Sequence, residues 1–236
     1  MSLFTDLYEA HLTIGGHEIT WREIVGNIFG LASAVGGMRR KVWAWPVGII
    51  GNVLLFTVFL FTATEGDHGG SPLYGQAGRQ VFFVIVSIYG WMRWSQNARR
   101  GSGAPAVVPR WATARERTAY LAVAAVGVVA CYYAFRQIGA GFDAKWWFYL
   151  ADAWIFVGSI VATYAMARGW VDFWLCWIAV DLVGVPLLLN SHFYPSAVLY
   201  GIYAVFVIWG FVTWLRIART EAESIGGAAR PDEVPA

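Results

Sequence analysis

Seven apolar runs divide the chain, at approximately 21–38, 43–63, 74–94, 118–138, 147–168, 171–190 and 195–215. Each comes close to the ~20 mostly apolar residues that a helix needs to cross the hydrocarbon core of a bilayer. The intervals between them are short apart from 97–117, which is rich in Arg, Gly, Ala and Pro without any period and so predicts one long loop. The pattern predicts an all-α integral membrane protein with seven transmembrane helices. The first run is the shortest and carries Glu23 and Asn27, and the third carries Arg79 near its start.

The same pattern recurs within the chain. A shift of 129 positions places Glu23 on Asp152, Arg39 on Arg168, Trp45 on Trp174, Pro46 on Leu175 and Asn52 on Asp181. Beyond the loop after the second run, a shift of 120 places Tyr74 on Tyr194, Ala77 on Ala197, Gly90 on Gly210 and Trp94 on Trp214. The first three runs and the last three are thus expected to be copies of one unit, with the fourth as a linker. Because three is odd, the linker span is what returns the second copy to the same sense as the first. This 3+1+3 arrangement is the parallel-repeat class of transporter, whose solute site lies near the midplane between the halves. The expected organisation is an extracytoplasmic segment (1–20), a first three-helix unit (21–94), a cytoplasmic loop (95–117), a linker helix (118–138), a second unit (147–217) and a disordered cytoplasmic tail (218–236). Lys and Arg concentrate after the first, third, fifth and seventh runs, which sets the N-terminus outside and the C-terminus in the cytoplasm.

Composition supports the bilayer as solvent: 58% of residues are hydrophobic, 17% aromatic and only 14% charged, against about a quarter charged in soluble domains. The net charge of +2 sits in the loops, so no nucleic-acid footprint is implied. Cys131 and Cys176 lie singly inside apolar runs, and His11, His17, His68 and His192 lie outside the spans or at their edges, so no metal site, cofactor or catalytic constellation is expected. No HExxH, GxSxG or Walker A motif is present, and the seventh run has no lysine for a retinal Schiff base. No removable signal peptide precedes the first run. A transporter of the bacterial plasma membrane is the expected class. A non-transporting receptor or scaffold is the alternative, since its residues need no distinctive chemistry.

Polar side chains inside spans are costly and face the bundle interior or a water-filled cavity. In the sixth run Trp174, Trp177, Asp181 and Gly184 share a helical face; in the second the matching stripe is Trp45, Gly48 and Asn52. Gln76, Gln80, Ser87 and Trp91 form one face of the third run, and Tyr200 occupies the position equivalent to Gln80 in the seventh. The candidate substrate-binding residues are therefore Trp45, Asn52, Gln80, Trp174, Trp177, Asp181 and Tyr200. An aromatic wall beside amide and carboxylate groups suits a planar ring with hydrogen-bonding substituents. The same stripes would also serve plain helix packing. Glu23, Asp152 and Arg79 lie nearer span ends, where ion pairing is the expected role.

The segments WPVGIIGNVLLF from Trp45, YGQAGRQVFFVIVSIYGWMRW from Tyr74 and DAWIFVGSIVATYAMARGWVDFWLCWIAVDLVGV from Asp152 together resemble the PnuC family of vitamin transporters over nearly the whole chain. The resemblance implies a 3+1+3 fold, homotrimers and facilitated diffusion of a B vitamin or precursor, trapped inside by a cytoplasmic kinase. Nicotinamide riboside is the substrate it implies by default. Asp181 in place of an asparagine, Arg79 in place of an apolar residue and Leu199 in place of an acidic one depart from that pattern. The opening TWREIVGNIFGL with GGMRR is similar to the riboflavin-associated RibM branch, so riboflavin is the alternative substrate. Binding roles carried by the resemblance fall on Trp45, Asn52, Gln80, Trp177 and Asp181.

Overall fold

The computed structural model describes residues 11–14, 17–62, 74–100, 106–137, 145–190 and 194–228; the side chains of 11–20, 59–62, 74–76, 187–190, 194–200, 222 and 224–228 lie outside the described set. Two short antiparallel strands, β1 (His11–Ile14) and β2 (His17–Thr20), pair His11 with Thr20 and Ile14 with His17, a hairpin that the apolar pattern does not announce. Seven helices follow: α1 (Trp21–Met38), α2 (Ala44–Thr62), α3 (Tyr74–Arg100), α4 (Ala114–Gln137), α5 (Trp146–Arg168), α6 (Asp172–Asn190) and α7 (Tyr194–Ala228). Among the described residues, Ala114–Gln137, Trp146–Arg168 and Gly201–Glu221 are long and apolar enough to cross a membrane.

Two expected boundaries move. Helix α3 continues to Arg100, into the expected loop, and α7 continues to Ala228, into the tail expected to be disordered. Hydropathy marks where hydrocarbon ends, whereas Gln, Ala and Arg in the first extension and Ala, Arg and Glu in the second favour continued helix in water. Helix α4 begins at Ala114 because Thr113 and Glu116 form a capping box: Thr113 N–H donates to the Glu116 carboxylate at 2.9 Å, and Glu116 N–H donates to Thr113 Oγ1 at 3.3 Å.

In sequence order α1 packs on α2 and α2 on α3, then α5 on α6 and α6 on α7; α4 lies against α5, and α3 against α5. The outer surface is apolar, with Val126 of α4 70% exposed and Val205 of α7 69% exposed, as suits side chains solvated by lipid.

The turns joining α1 to α2 and α5 to α6 repeat one hydrogen-bond pattern at the 129-residue shift. Arg40 N–H donates to Gly37 O and Lys41 N–H to Gly36 O, both at 2.9 Å; Gly169 N–H donates to Met166 O at 2.9 Å and Trp170 N–H to Ala165 O at 3.0 Å. Each is a Schellman cap whose pivot residue is left-handed, Arg40 at φ 57° and Gly169 at φ 74°. The next helix starts alike in both: Ala44 and Trp45 donate to Lys41 and Val42 carbonyls, and Phe173 and Trp174 to those of Trp170 and Val171.

Equivalent tryptophans also pack equivalently. A Cβ added to Gly90 would fall within the Trp45 ring, and one added to Gly210 within the Trp174 ring, so both glycines are required by close approach. Trp45 meets Trp94 edge-on at 5.3 Å between ring centroids, and Trp174 meets Trp214 likewise at 6.3 Å. The indoles then cross between units. Trp94 Nε1 of α3 donates to Ala167 O at the end of α5 (3.2 Å), and Trp214 Nε1 of α7 donates to Met38 O at the end of α1 (2.9 Å). Each satisfies one of the carbonyls that a helix end leaves unpaired.

Residues 106–117 strap the α5–α6 turn. Arg110 exchanges backbone bonds with Gly169 and Val171, at 3.1 and 2.8 Å. Asp172, fully buried, accepts from Ala112 N–H at 2.8 Å and from the Arg117 guanidinium at 2.6 Å. Arg110 holds Glu116 bidentately at 2.8 and 2.7 Å.

Candidate functional site

Four of the seven candidate residues carry a buried polar atom with no hydrogen-bond partner among the described residues: Trp45 Nε1, Gln80 Oε1, Trp174 Nε1 and Asp181 Oδ2. Gln80 is 6% exposed and Asp181 8%. A buried polar group left unpaired costs about 1–3 kcal/mol, and more if charged, so a chain carrying several needs a further partner such as solute or water. Two of the four atoms are donors and two are acceptors.

Trp45 and Trp174 sit at the starts of α2 and α6, placed there by the turns, with one ring face closed by Gly90 or Gly210. Both belong to one aromatic cluster with Met38, Trp94, Phe173 and Trp214, and half-buried Trp177 packs on its edge. Asp181 lies two turns further along α6. It lines a cleft of about 310 Å³ between α6 and α7, with Ile178, Leu182, Val185, Ala204 and Ile208. Gln80 lines a cleft of about 200 Å³ between α2 and α3, with Val53, Phe56, Val81 and Val84. The repeat shifts relate the two: Leu182 and Val185 correspond to Val53 and Phe56, and Ala204 to Val84.

The structure therefore gathers Trp45, Trp174 and Trp177 in one cluster, but sets Gln80 and Asp181 in separate clefts, one in each unit. Asn52, half-buried on α2, precedes Val53 of the Gln80 cleft. Tyr200 belongs to α7, and its side chain lies outside the described residues. Chemically, the two carbonyl-type acceptors can receive N–H groups of a solute, and the two indoles can donate to its carbonyls.

Two constellations escape the apolar pattern. Arg79 and Asp152 pair at 3.1 Å between α3 and α5, within the spans, and the guanidinium stands 6.0 Å over the Phe156 ring. Asp172 is invisible as a strap anchor because its partners, Ala112 and Arg117, lie across a long loop; its place as a carboxylate at the very start of an apolar run was the available sign.

A seven-helix membrane bundle with unpartnered buried donors and acceptors among its described residues suits a small-solute transporter. The family described as Nicotinamide mononucleotide transporter matches residues 20–216. The chain belongs to that family, the PnuC family of membrane transporters rather than of enzymes, which work in the bacterial inner membrane. It is 39% identical over 221 residues to the riboflavin/roseoflavin transporter RibM of Streptomyces davaonensis, covering 93% of this chain and 96% of that protein. It is 27% identical over 233 residues to the nicotinamide riboside transporter PnuC of Escherichia coli, covering 89% and 92%. Among solved structures, the crystal structure of the vitamin B3 transporter PnuC aligns with TM-score 0.62 at 21% identity, over 85% of this chain and 83% of that one, and shares the fold.

Proposed function

We propose that this protein is a facilitator for a B vitamin and that riboflavin is its substrate. The observation that carries the reading is the set of buried, unpartnered atoms on Trp45, Gln80, Trp174 and Asp181, residues singled out by the internal repeat. The flavin ring edge carries an N–H flanked by two carbonyls; the N–H suits one buried acceptor, Asp181 or Gln80, and the carbonyls suit indole donors. The 39% identity to a riboflavin/roseoflavin transporter along nearly the whole chain supports this choice. Trp177 lends an aromatic face, and Asn52 and Tyr200 complete the site when the units approach. Nicotinamide riboside is the second reading, favoured by the family description and by the 27% identity to PnuC; its carboxamide could use the same groups.

In this reading the two three-helix units run parallel about an axis along the membrane normal, with the N-terminus outside and the C-terminus in the cytoplasm. The reciprocal bonds of Trp94 and Trp214 close the cytoplasmic end, and alternating access comes from relative movement of the units. Binding by stacking and a few hydrogen bonds is selective yet releasable. Assembly as a homotrimer and trapping by a cytoplasmic kinase belong to the same proposal. The test is calorimetric titration of the purified protein with riboflavin, nicotinamide riboside and thiamine. Riboflavin is expected to bind most tightly, and binding of none would reject the vitamin reading.

A further inference from the structure

The contact between the two units is asymmetric. Helix α3 lies against α5 through four successive contacts: Arg79 with Asp152 at 3.1 Å, Phe82 with Phe156 edge-on at 5.6 Å, Tyr89 stacked on Tyr164 at 5.8 Å, and Trp94 Nε1 with Ala167 O at 3.2 Å. Residue numbers rise together on both helices, and 15 residues of rise cover about 22 Å, most of the hydrocarbon thickness.

The repeat shifts define the equivalent contacts between α7 and α1. Leu199 and Glu23 replace Arg79 and Asp152, Ile202 and Asn27 replace Phe82 and Phe156, and Trp209 and Val35 replace Tyr89 and Tyr164. None of these pairs can form an ion pair or a ring pair. The last contact is duplicated among the described residues, as Trp214 Nε1 with Met38 O. The Arg79 side chain is 11% exposed, and separating such a pair in hydrocarbon would strand two charges.

We propose that Arg79 and Asp152 are positioning residues that lock α3 to α5 as a fixed seam, and that the units open along α1 and α7, where the solute passes. The proposal rests on the two-unit reading of transport. It assigns the ion pair to neither the solute nor the lipid: the pair holds the Gln80-bearing helix at constant distance from the second unit while the other side moves.

The test uses spin labels on exposed positions, in full-length chain with Cys131 and Cys176 replaced by Ala, in nanodiscs. Labels at Ile88 and Leu150, both exposed and outside the two clefts, report on α3–α5; labels at Ile28 and Val205 report on α1–α7. The expected result is one narrow distance distribution across the seam, unchanged by riboflavin, and two populations across α1–α7 whose ratio riboflavin shifts. Two populations across the seam, or a single unmoved one across α1–α7, would overturn the proposal. In the same labelled chain Arg79→Ala should split the seam distribution, and the charge exchange Arg79→Asp with Asp152→Arg should narrow it again; failure of the exchange to do so would also count against it. Distances are read without any uptake, so failure of all vitamins to bind would reject the proposed substrate and leave the seam to be judged separately.

Discussion

The turn from α1 into α2 and the turn from α5 into α6 share their backbone hydrogen bonds residue for residue, yet they reach that geometry with different side chains. The second places Gly169 at the left-handed pivot, where a side chain is strained; the first places Arg40 there, whose guanidinium reaches Val107 O at 3.4 Å. The second also gains the strap anchored on Asp172, a position held by Trp43 in the first unit. Deeper in the spans the contrast changes character. The framework of Trp45, Gly90 and Trp94 against Trp174, Gly210 and Trp214 is duplicated, while Asn52 faces Asp181 and Gln80 faces Tyr200 across the repeat. Duplication governs the tryptophan–glycine packing, and divergence falls at the strapped turn, along the α3–α5 seam and at the polar positions of the clefts.

The largest expected break in this comparison is functional. Asp181→Ala should weaken vitamin binding by about 10- to 100-fold, since it removes a buried acceptor worth ~1–3 kcal/mol, whereas Asn52→Ala should cost less than about tenfold. Titration of both variants measures the difference, and equal losses would return the site to symmetry. Next come Gly90→Ala and Gly210→Ala. Each drives a methyl group into a tryptophan ring and should destabilise the protein by about 1–3 kcal/mol, seen as similar falls in the thermal unfolding temperature. A large effect at one glycine and none at the other would break the duplicated framework.

Smaller effects are expected where the indoles cross between units. Trp94→Phe and Trp214→Phe keep the ring but lose one hydrogen bond, for about 1 kcal/mol each. The smallest separates the two turns: Gly169→Ala should destabilise by roughly 1 kcal/mol or more, while Arg40→Gly should be neutral or stabilising by up to about 1 kcal/mol. Thermal unfolding of the pair shows whether the left-handed pivot alone distinguishes them.

Helix number, order and most boundaries were legible in the sequence because the length of an apolar run is set by the bilayer, and two residue shifts, 129 and 120, brought out the repeated pattern. The ends of α3 and α7 were not, since hydropathy falls at the membrane surface whether or not the helix continues. Buried polar side chains were legible where polarity stands out inside a span, as at Gln80 and Asp181. Their separation into two clefts was not, because it depends on which neighbour each helix meets. The partnership of Arg79 with Asp152 joins residues far apart in sequence, and near-end position alone suggested ion pairing without naming the partner.

In the proposed function a duplicated scaffold carries an unduplicated vitamin site whose key acceptor is Asp181. Its most direct test is titration of riboflavin into the wild-type protein and into Asp181→Asn, which keeps size and shape but turns one acceptor oxygen into a donor. Binding at least tenfold weaker with an unchanged unfolding temperature is the predicted result; equal riboflavin affinity in the two proteins would contradict it.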